Sequence, residues 1–201
     1  MKALVIVAHP DDEVIWMGGL IIRNHSWEWH IFSLSRAGDP DREPRFRLAG
    51  DDLRAVTYIS DLDDSPVLAP LSSDLHEIKS RIKGIVSLKF DLVFTHGAAG
   101  EYGHLRHQEV HRAVAEMAAG GHLQGELVFF AHNEETNMEI SLSPDEYAMK
   151  KHIIRDVYGF QEGSFEYESA GQIEAFQAAN PAPLLQHSNT PLLHSGRRSH
   201  P

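Results

Sequence analysis

The segment Met1–Gly19, MKALVIVAHPDDEVIWMGG, decides the fold because it leads from an apolar run through a polar turn into a helical pattern. Leu4–Ala8 is short and nearly all apolar, which is typical of a strand buried on both faces of a parallel sheet. Val14–Asn24 then predicts a helix. Between them lies His9–Glu13 (HPDDE), whose adjacent carboxylates repel each other unless something positive lies between them. This turn therefore predicts a chemical site rather than a packing contact.

The rest of the chain continues to alternate between strand and helix patterns. This alternation predicts an α/β fold with a doubly wound, mostly parallel sheet in a three-layer sandwich. Ligands of such folds bind outside the carboxyl ends of the strands, where the polar clusters His9–Glu13 and His96–His107 should meet. The further elements that we predict are strands at Trp29–Leu34, Tyr58–Ser60, Leu92–Thr95, Leu127–Ala131 and Met138–Leu142, and helices at Phe46–Tyr58, Leu75–Leu88, His104–Ala119 and Pro144–Tyr158.

The 201 residues fit one domain, which we assign to residues 1–179. From Asn180 onward the sequence loses its periodicity and becomes rich in Pro, Ser and His. We expect residues 180–201 to form a flexible tail, with a short helix docked on the body as the alternative.

Composition excludes several classes of protein. Lys and Arg total 18 against 29 Asp and Glu, so the net charge of −11 argues against a nucleic-acid partner. The chain has no cysteine, which excludes disulfides and thiolate zinc sites. It has neither a signal-peptide pattern nor an apolar run near the roughly 18 residues of a membrane span, so we expect a cytoplasmic protein. A homo-oligomer remains open.

His9 and Asp12 lie three residues apart on the strand-to-helix turn, so both side chains can point into one site. Imidazole and carboxylate are good ligands for zinc and similar divalent ions. An ordinary helix N-cap is the alternative, but it accounts for one aspartate only.

Thr95–His111 (THGAAGEYGHLRHQEVH) holds the second cluster. His104 and His107 are spaced i, i+3, and His107 and His111 are spaced i, i+4, so all three can share one helix face. The spacing does not decide which of them bind a metal, and a solvated helix face is the alternative for each.

Together, A-H-P-D-D-E after the first strand and T-H-G-x-x-G-E-Y-G-H-x-x-H some ninety residues later resemble the LmbE/PIG-L family of zinc-dependent de-N-acetylases. The resemblance covers roughly residues 2–160. It implies a Rossmann-like fold and an enzyme that removes acetyl groups from N-acetylglucosamine units and related amides.

The resemblance also implies roles for individual residues. His9, Asp12 and His107 would bind the metal, and Asp11 would be the general base. His104 would stabilise the tetrahedral oxyanion or protonate the leaving amine.

Two positions depart from the family pattern. Many members carry Asp just before the third ligand, where this chain has Arg106. That difference puts an orienting carboxylate at this point in doubt. Arg42 matches the Arg of a frequent R-x-x-E pair, but Arg45 stands at the Glu position. Arg42 is thus a candidate substrate contact, with a solvated loop arginine as the alternative.

The sequence therefore predicts a zinc hydrolase acting on a small N-acetylglucosamine-type amino sugar or glycoconjugate, although other divalent transition metals also suit these ligands. The alternatives are an amidase of thiol–sugar conjugates and a metal-dependent sugar-binding protein with impaired catalysis. No G-x-G-x-x-G follows the first strand, which argues against a dinucleotide-binding protein.

Overall fold

The computed structural model describes residues 1–64, 72–85 and 89–179. Its strands are β1 Lys2–Val7, β2 Glu28–Ser33, β3 Ala55–Ile59, β4 Lys89–Thr95, β5 Gln124–Phe130, β6 Met138–Ser141 and β7 Ile173–Ala178. Its helices are α1 Asp12–Arg23, α2 Arg42–Asp52, α3 Ser72–Ile85, the single turn α4 Gly100–Gly103, α5 Leu105–Ala119, α6 Pro144–His152 and α7 Phe165–Ser169, with a π-helical turn, Ile153–Val157, directly after α6. The predicted tail, residues 180–201, lies outside these ranges.

The strands form one mixed sheet in the order β3-β2-β1-β4-β5-β7-β6. The first five are parallel to one another, and β7 pairs antiparallel with both β5 and β6. The predicted α/β fold with a mostly parallel sheet is therefore confirmed. Within the described ranges, no helix is both long enough and apolar enough to cross a membrane.

Strand β1 divides the core into two layers because successive side chains of a strand point to opposite faces. Val5 and Val7 belong to a hydrophobic cluster with residues of α1, α2 and the π-helical turn that follows α6. Leu4 and Ile6 belong to a second cluster with residues of α3 and α5. Helices thus cover both faces of the sheet, as the three-layer prediction requires.

The predicted helix Phe46–Tyr58 is wrong at both ends. Helix α2 begins at Arg42 and ends at Asp52, and the chain then turns through Arg54, whose φ is 55°. Residues 55–59 instead form β3, parallel to β2, since Val-Thr-Tyr-Ile is a β-branched and aromatic run that suits a strand. Strand β7 and helix α7 were not predicted at all.

A buried ion pair joins β7 to α1 and α6. The carboxylate of Glu174 accepts hydrogen bonds from the backbone N–H groups of Gly19 and Leu20, both at 2.8 Å, and from Lys150 Nζ at 2.7 Å. A side chain at position 19 would clash, because its Cβ would lie 2.2 Å from a methyl carbon of Leu142. Gly19 therefore lets α1 pack closely against Leu142, the residue that follows β6.

Candidate active site

The two polar clusters meet at one edge of the sheet. Strands β1 and β4 are adjacent and parallel, so the residues that follow Val7 and Thr95 emerge side by side. Beside them lies a cavity of about 200 Å³. Five of the residues singled out in the sequence line it, namely His9, Asp11, Asp12, Arg42 and His104.

His107 is fully buried, and its Nε2 atom approaches His9 and Asp12, two residues of the cavity lining. His9 Nδ1 is 3.2 Å from Asp12 Oδ2 and 3.2 Å from His107 Nε2. The remaining pair, His107 Nε2 and Asp12 Oδ2, is 3.4 Å apart. Ligands placed about 2.0–2.1 Å from a tetrahedral zinc ion are separated by about 3.3 Å, so these three atoms fit such an ion without rearrangement.

Each of the two histidines has a carboxylate on its other ring nitrogen. Glu101 Oε2 accepts a hydrogen bond from His107 Nδ1, and Asp64 Oδ2 lies 2.8 Å from His9 Nε2. Because an ionised carboxylate only accepts hydrogen bonds, it selects the ring tautomer whose opposite nitrogen has a free lone pair. Carboxylate partners of this kind orient histidine ligands in metal sites.

His96 supports the cluster in a different way. Its Nε2 atom lies within 3.5 Å of Asp12 Oδ2 but accepts a hydrogen bond from the backbone N–H of Ala8 at 2.9 Å. Its Nδ1 atom donates to Glu101 at 2.9 Å, and its ring stacks on His107 with 3.8 Å between centroids. With both ring nitrogens engaged, His96 is suited to holding His107 rather than to binding an ion.

The other two histidines of the second motif differ in position. One ring nitrogen of His104 lies within 4.8 Å of ring nitrogens of His9 and His107, and His104 lines the cavity. Among the described residues, no group forms a hydrogen bond with its buried Nδ1 atom. His111 instead donates from Nδ1 to the carbonyl of His96 and packs on Phe129, away from the cavity.

The ionised carboxylates of the site favour a bound cation. Burial opposes ionisation of Asp12, but His107, His96 and His9 together hold its pKa below the usual range. Burial also opposes ionisation of Glu101, yet the neighbouring His96 and His107 lower its pKa to about 2. Burial lowers the pKa of His107 to about 4. Burial acts in the same direction on His9, but hydrogen bonds and charges from Asp12 and Asp64 outweigh it and raise the pKa of His9 to about 10, so a metal ion would bind this imidazole by displacing a proton.

Asp11 has different contacts from Asp12 although the two residues are adjacent and line the same cavity. Its φ is 120°, a left-handed conformation, and its backbone N–H donates to Glu13 Oε2 at 3.0 Å. Its carboxylate accepts a hydrogen bond from Arg42 Nη1 at 2.9 Å. Burial and the charge of Asp12 raise the pKa of Asp11 well above its usual range. Neighbouring aspartates thus have different surroundings.

Arg42 is the first residue of α2 and lies on the cavity wall rather than in a solvated loop. Its guanidinium stands 4.5 Å from the centre of the Phe160 ring, so it bridges that ring and Asp11. Arg45, at the position where the family often has Glu, pairs with Asp41 and the carbonyl of Val157 instead.

Arg106 is buried but does not face the three donor atoms. It donates to Glu109 Oε2 at 2.5 Å and to the backbone carbonyl of Asp63 at 2.6 Å. Its Nε atom lies 3.8 Å from Asp64 Oδ1. Position 106 therefore supplies no orienting carboxylate. The carboxylates that contact His107 and His9 come from Glu101 and Asp64 instead.

Several of these partners were not singled out in the sequence. Glu101 lies inside the second motif, so its position five residues after His96 was an available signal. Asp64 lies in an acidic stretch whose members look alike in sequence. An aromatic wall was also missed: Tyr102 and Phe165, both half exposed, make an edge-to-face contact with 4.7 Å between ring centroids, and Trp16 lies below them and donates to Asp12 Oδ1.

Solved structures share this fold. An N,N'-diacetylchitobiose deacetylase from Pyrococcus horikoshii superposes with a TM-score of 0.68 at 18% identity, over 94% of this chain and 86% of that one. A teicoplanin deacetylase in a zinc-inhibited form gives 0.60 at 16% identity over 84% of each chain. The 4-carboxy-2-hydroxymuconate hydratase GalB of Pseudomonas putida KT2440 gives 0.63 at 16% identity, over 90% of this chain and 96% of that one. At such low identity these likenesses establish the fold alone.

Sequence comparison gives two matches. An uncharacterized protein, L374 of Acanthamoeba polyphaga mimivirus, is 26% identical over 129 residues, which are 57% of this chain and 56% of that protein. The match thus spans little more than half the length of this curated relative. The PIG-L family model, described as GlcNAc-PI de-N-acetylase, matches residues 4–118, a span that is more than half of the chain and contains both motifs. The chain therefore belongs to the PIG-L family.

Proposed function

We propose that this protein is a metal-dependent de-N-acetylase that hydrolyses the acetamido group of an N-acetylglucosamine-type amino sugar or glycoconjugate. One observation carries the proposal: the donor atoms of His9, Asp12 and His107 lie 3.2–3.4 Å apart, with the Asp11 carboxylate beside them on the wall of the same cavity. Fold alone would not separate this function from others, since a hydratase shares the architecture.

The three donor atoms would hold a divalent ion, for which we favour zinc because two imidazoles and one carboxylate form a frequent catalytic zinc site. Such a set leaves a coordination position open, and other transition ions also accept these ligands. When bound, the ion supplies Lewis-acid chemistry that activates water and polarises the amide carbonyl.

Asp11 would accept the proton of the water that attacks the amide carbon. A base needs a pKa that is not far below the working pH, and burial raises the pKa of Asp11 in this direction. Arg42, bonded to one of its oxygens, fixes the orientation of the carboxylate. The water oxygen forms the new bond to carbon, and its proton moves to Asp11.

His104 would act on the other side of the substrate. When protonated, it can donate a hydrogen bond to the tetrahedral oxyanion, whose negative charge develops during attack. The C–N bond then breaks, and the amine leaves with a proton from Asp11 or His104. The buried Nδ1 of His104, which has no hydrogen-bond partner among the described residues, supports a role that is completed by a bound ligand.

The test is acetate release from N-acetylglucosamine and its glycosides, with protein stripped of metal and then supplied with zinc. We expect release that depends on added metal and is roughly 10²- to 10⁴-fold slower in Asp11→Asn. Hydrolysis of thiol–sugar conjugates alone would move the assignment to that class of amide. Saturable sugar binding without acetate release from any of these compounds would leave a sugar-binding protein and overturn the enzyme.

A further inference from the structure

We propose that Asp64 and Arg106 form a positioning pair that fixes which nitrogen His9 presents to the metal centre. The inference rests on the proposed metal site and extends it to two residues outside the three donors. Asp64 acts on His9 directly, and Arg106 acts through Asp64.

The contact between Asp64 and His9 determines the state of the imidazole. Asp64 Oδ2 is 2.8 Å from His9 Nε2, while His9 Nδ1 is 3.2 Å from both Asp12 Oδ2 and His107 Nε2. A carboxylate at Nε2 requires the proton there, and the lone pair of Nδ1 then points toward the other two donors. Without Asp64, His9 Nε2 would lose its hydrogen-bond partner, and only the contacts of Nδ1 would oppose rotation about the Cβ–Cγ bond.

Asp64 itself lies in a segment without regular secondary structure, so its position needs support from elsewhere. The segment is attached to the sheet by the backbone hydrogen bond from Leu62 to Leu34, at 2.9 Å. Beyond Leu62, Arg106 donates to the carbonyl of Asp63 at 2.6 Å and places Nε 3.8 Å from Asp64 Oδ1. Arg106 is only 6% exposed, so this charge acts where water screens it little.

Arg106 immediately precedes His107 in the first turn of α5. The first turn of α5 therefore carries the proposed donor His107 and also Arg106, which holds the segment of Asp64. Asp64 in turn orients the second proposed donor, His9. An arginine suits this place because its planar fork reaches Glu109 on its own helix and the 61–64 segment at the same time. A negative residue at position 106 would instead face Asp64 and repel it.

This arrangement predicts that both residues affect metal affinity and that Arg106 does so only through Asp64. Asp64→Ala should weaken zinc binding by about 10- to 100-fold, the usual effect of removing a carboxylate partner from a histidine ligand. Asp64→Asn, whose amide oxygen still accepts a neutral hydrogen bond, should fall between the wild type and Asp64→Ala. Arg106→Gln should cause a smaller loss than Asp64→Ala, and Arg106→Lys should recover part of it.

Zinc affinity can be measured by competition with a chromophoric chelator, and the ligand geometry by the visible absorption of the Co²⁺-loaded protein. The double variant Asp64→Ala/Arg106→Gln should bind zinc no more weakly than Asp64→Ala, because Arg106 acts through Asp64. A matched control is Asp61→Asn, which removes an exposed partner of Arg81 in the same segment and should change neither readout.

The outcomes separate this inference from the proposed function. Wild-type zinc affinity and an unchanged Co²⁺ spectrum in Asp64→Ala would overturn the positioning pair, provided that His9→Ala loses the metal. Retained zinc affinity in His9→Ala would instead overturn the metal site itself. Additive losses in the double variant would show that Arg106 does not act through Asp64. If Arg106→Gln does not fold, Arg106→Lys and the two Asp64 variants still decide the question.

Discussion

Glu101 receives hydrogen bonds from His96 and His107 on the same carboxylate oxygen, Oε2. Its other oxygen, Oε1, accepts the backbone N–H of Gly97 at 2.8 Å, and the residue is only 2% exposed. Glu101 adopts this position with a φ of 56°, which an ordinary residue rarely adopts. A strained backbone at a buried carboxylate between two histidines indicates that its placement matters for the site.

Glu101→Gln should weaken zinc binding by about 10- to 100-fold, because a neutral amide orients His107 less firmly than a carboxylate does. Zinc competition with a chelator measures the change. Glu166→Gln, which alters another acid on the cavity wall, should bind zinc as the wild type does. Equal affinity in Glu101→Gln and Glu166→Gln would show that Glu101 serves the fold rather than the metal.

Asp11→Asn and Asp12→Asn should have opposite effects although the residues are adjacent. Asp11→Asn should keep near-normal zinc content and lower turnover by roughly 10²- to 10⁴-fold, the usual contribution of a positioned base. Asp12→Asn should lower zinc content, because a neutral amide replaces an anionic donor. Elemental analysis and acetate release on both variants separate the roles, and the reverse pattern would exchange the two assignments.

His107→Ala should purify with little zinc, whereas His111→Ala should purify nearly loaded. The reason is geometric, since His107 Nε2 approaches His9 and Asp12 while His111 donates to the carbonyl of His96. Metal content by elemental analysis gives the answer directly. A loaded His107→Ala protein together with an empty His111→Ala protein would contradict this placement of the third donor.

Glu174→Gln should destabilise the protein by about 3–5 kcal/mol, because it leaves the buried ammonium of Lys150 without a counter-charge. Urea unfolding followed by circular dichroism measures the difference. The comparison variant is Glu116→Gln, which breaks an exposed pair with Lys79 and should change the free energy of unfolding little. Similar values for the two variants would mean that the buried pair is not needed to join β7 to α1 and α6.

Stability should depend on pH through Glu146. The hydrogen bonds from Arg23 lower the pKa of Glu146 to about 2 in the folded protein, against 4.5 for the unperturbed group. A lowered folded-state pKa adds stability above pH 4.5 that is lost as the pH falls toward 2. Arg23→Gln should therefore lower the thermal midpoint at pH 6, and its difference from the wild type should shrink below pH 4.5. A difference that stays constant between pH 6 and pH 3 would exclude this linkage.

The sequence determined the fold class through local periodicity. Leu4–Ala8 alternates between two hydrophobic clusters in the structure, because a strand between two helical layers needs apolar side chains on both faces. The same local order placed polar residues directly after β1 and β4. Since parallel neighbouring strands end at one edge, the sequence also indicated that the two motifs would meet there.

Predictions from local periodicity failed where tertiary packing decides between helix and strand. Phe46–Tyr58 read as a single helix, but pairing with β2 makes residues 55–59 a strand. Strand β7 was missed because it carries Glu174, whose charge is buried against Lys150 and the backbone of α1. A charged residue inside a strand does not look buried until its partners are known.

The proposed metal donors illustrate the same division. Spacing placed His104, His107 and His111 on one helix face, and the family resemblance assigned His107, but only the packing of α5 against β1 brought its Nε2 atom to His9 and Asp12. Asp64 lies 55 residues along the chain from His9. Sequence spacing governs which side chains share a turn or a helix face, whereas contacts over such separations depend on how loops and helices pack on the sheet. The contact between Asp64 and His9 was therefore decided by the tertiary structure alone.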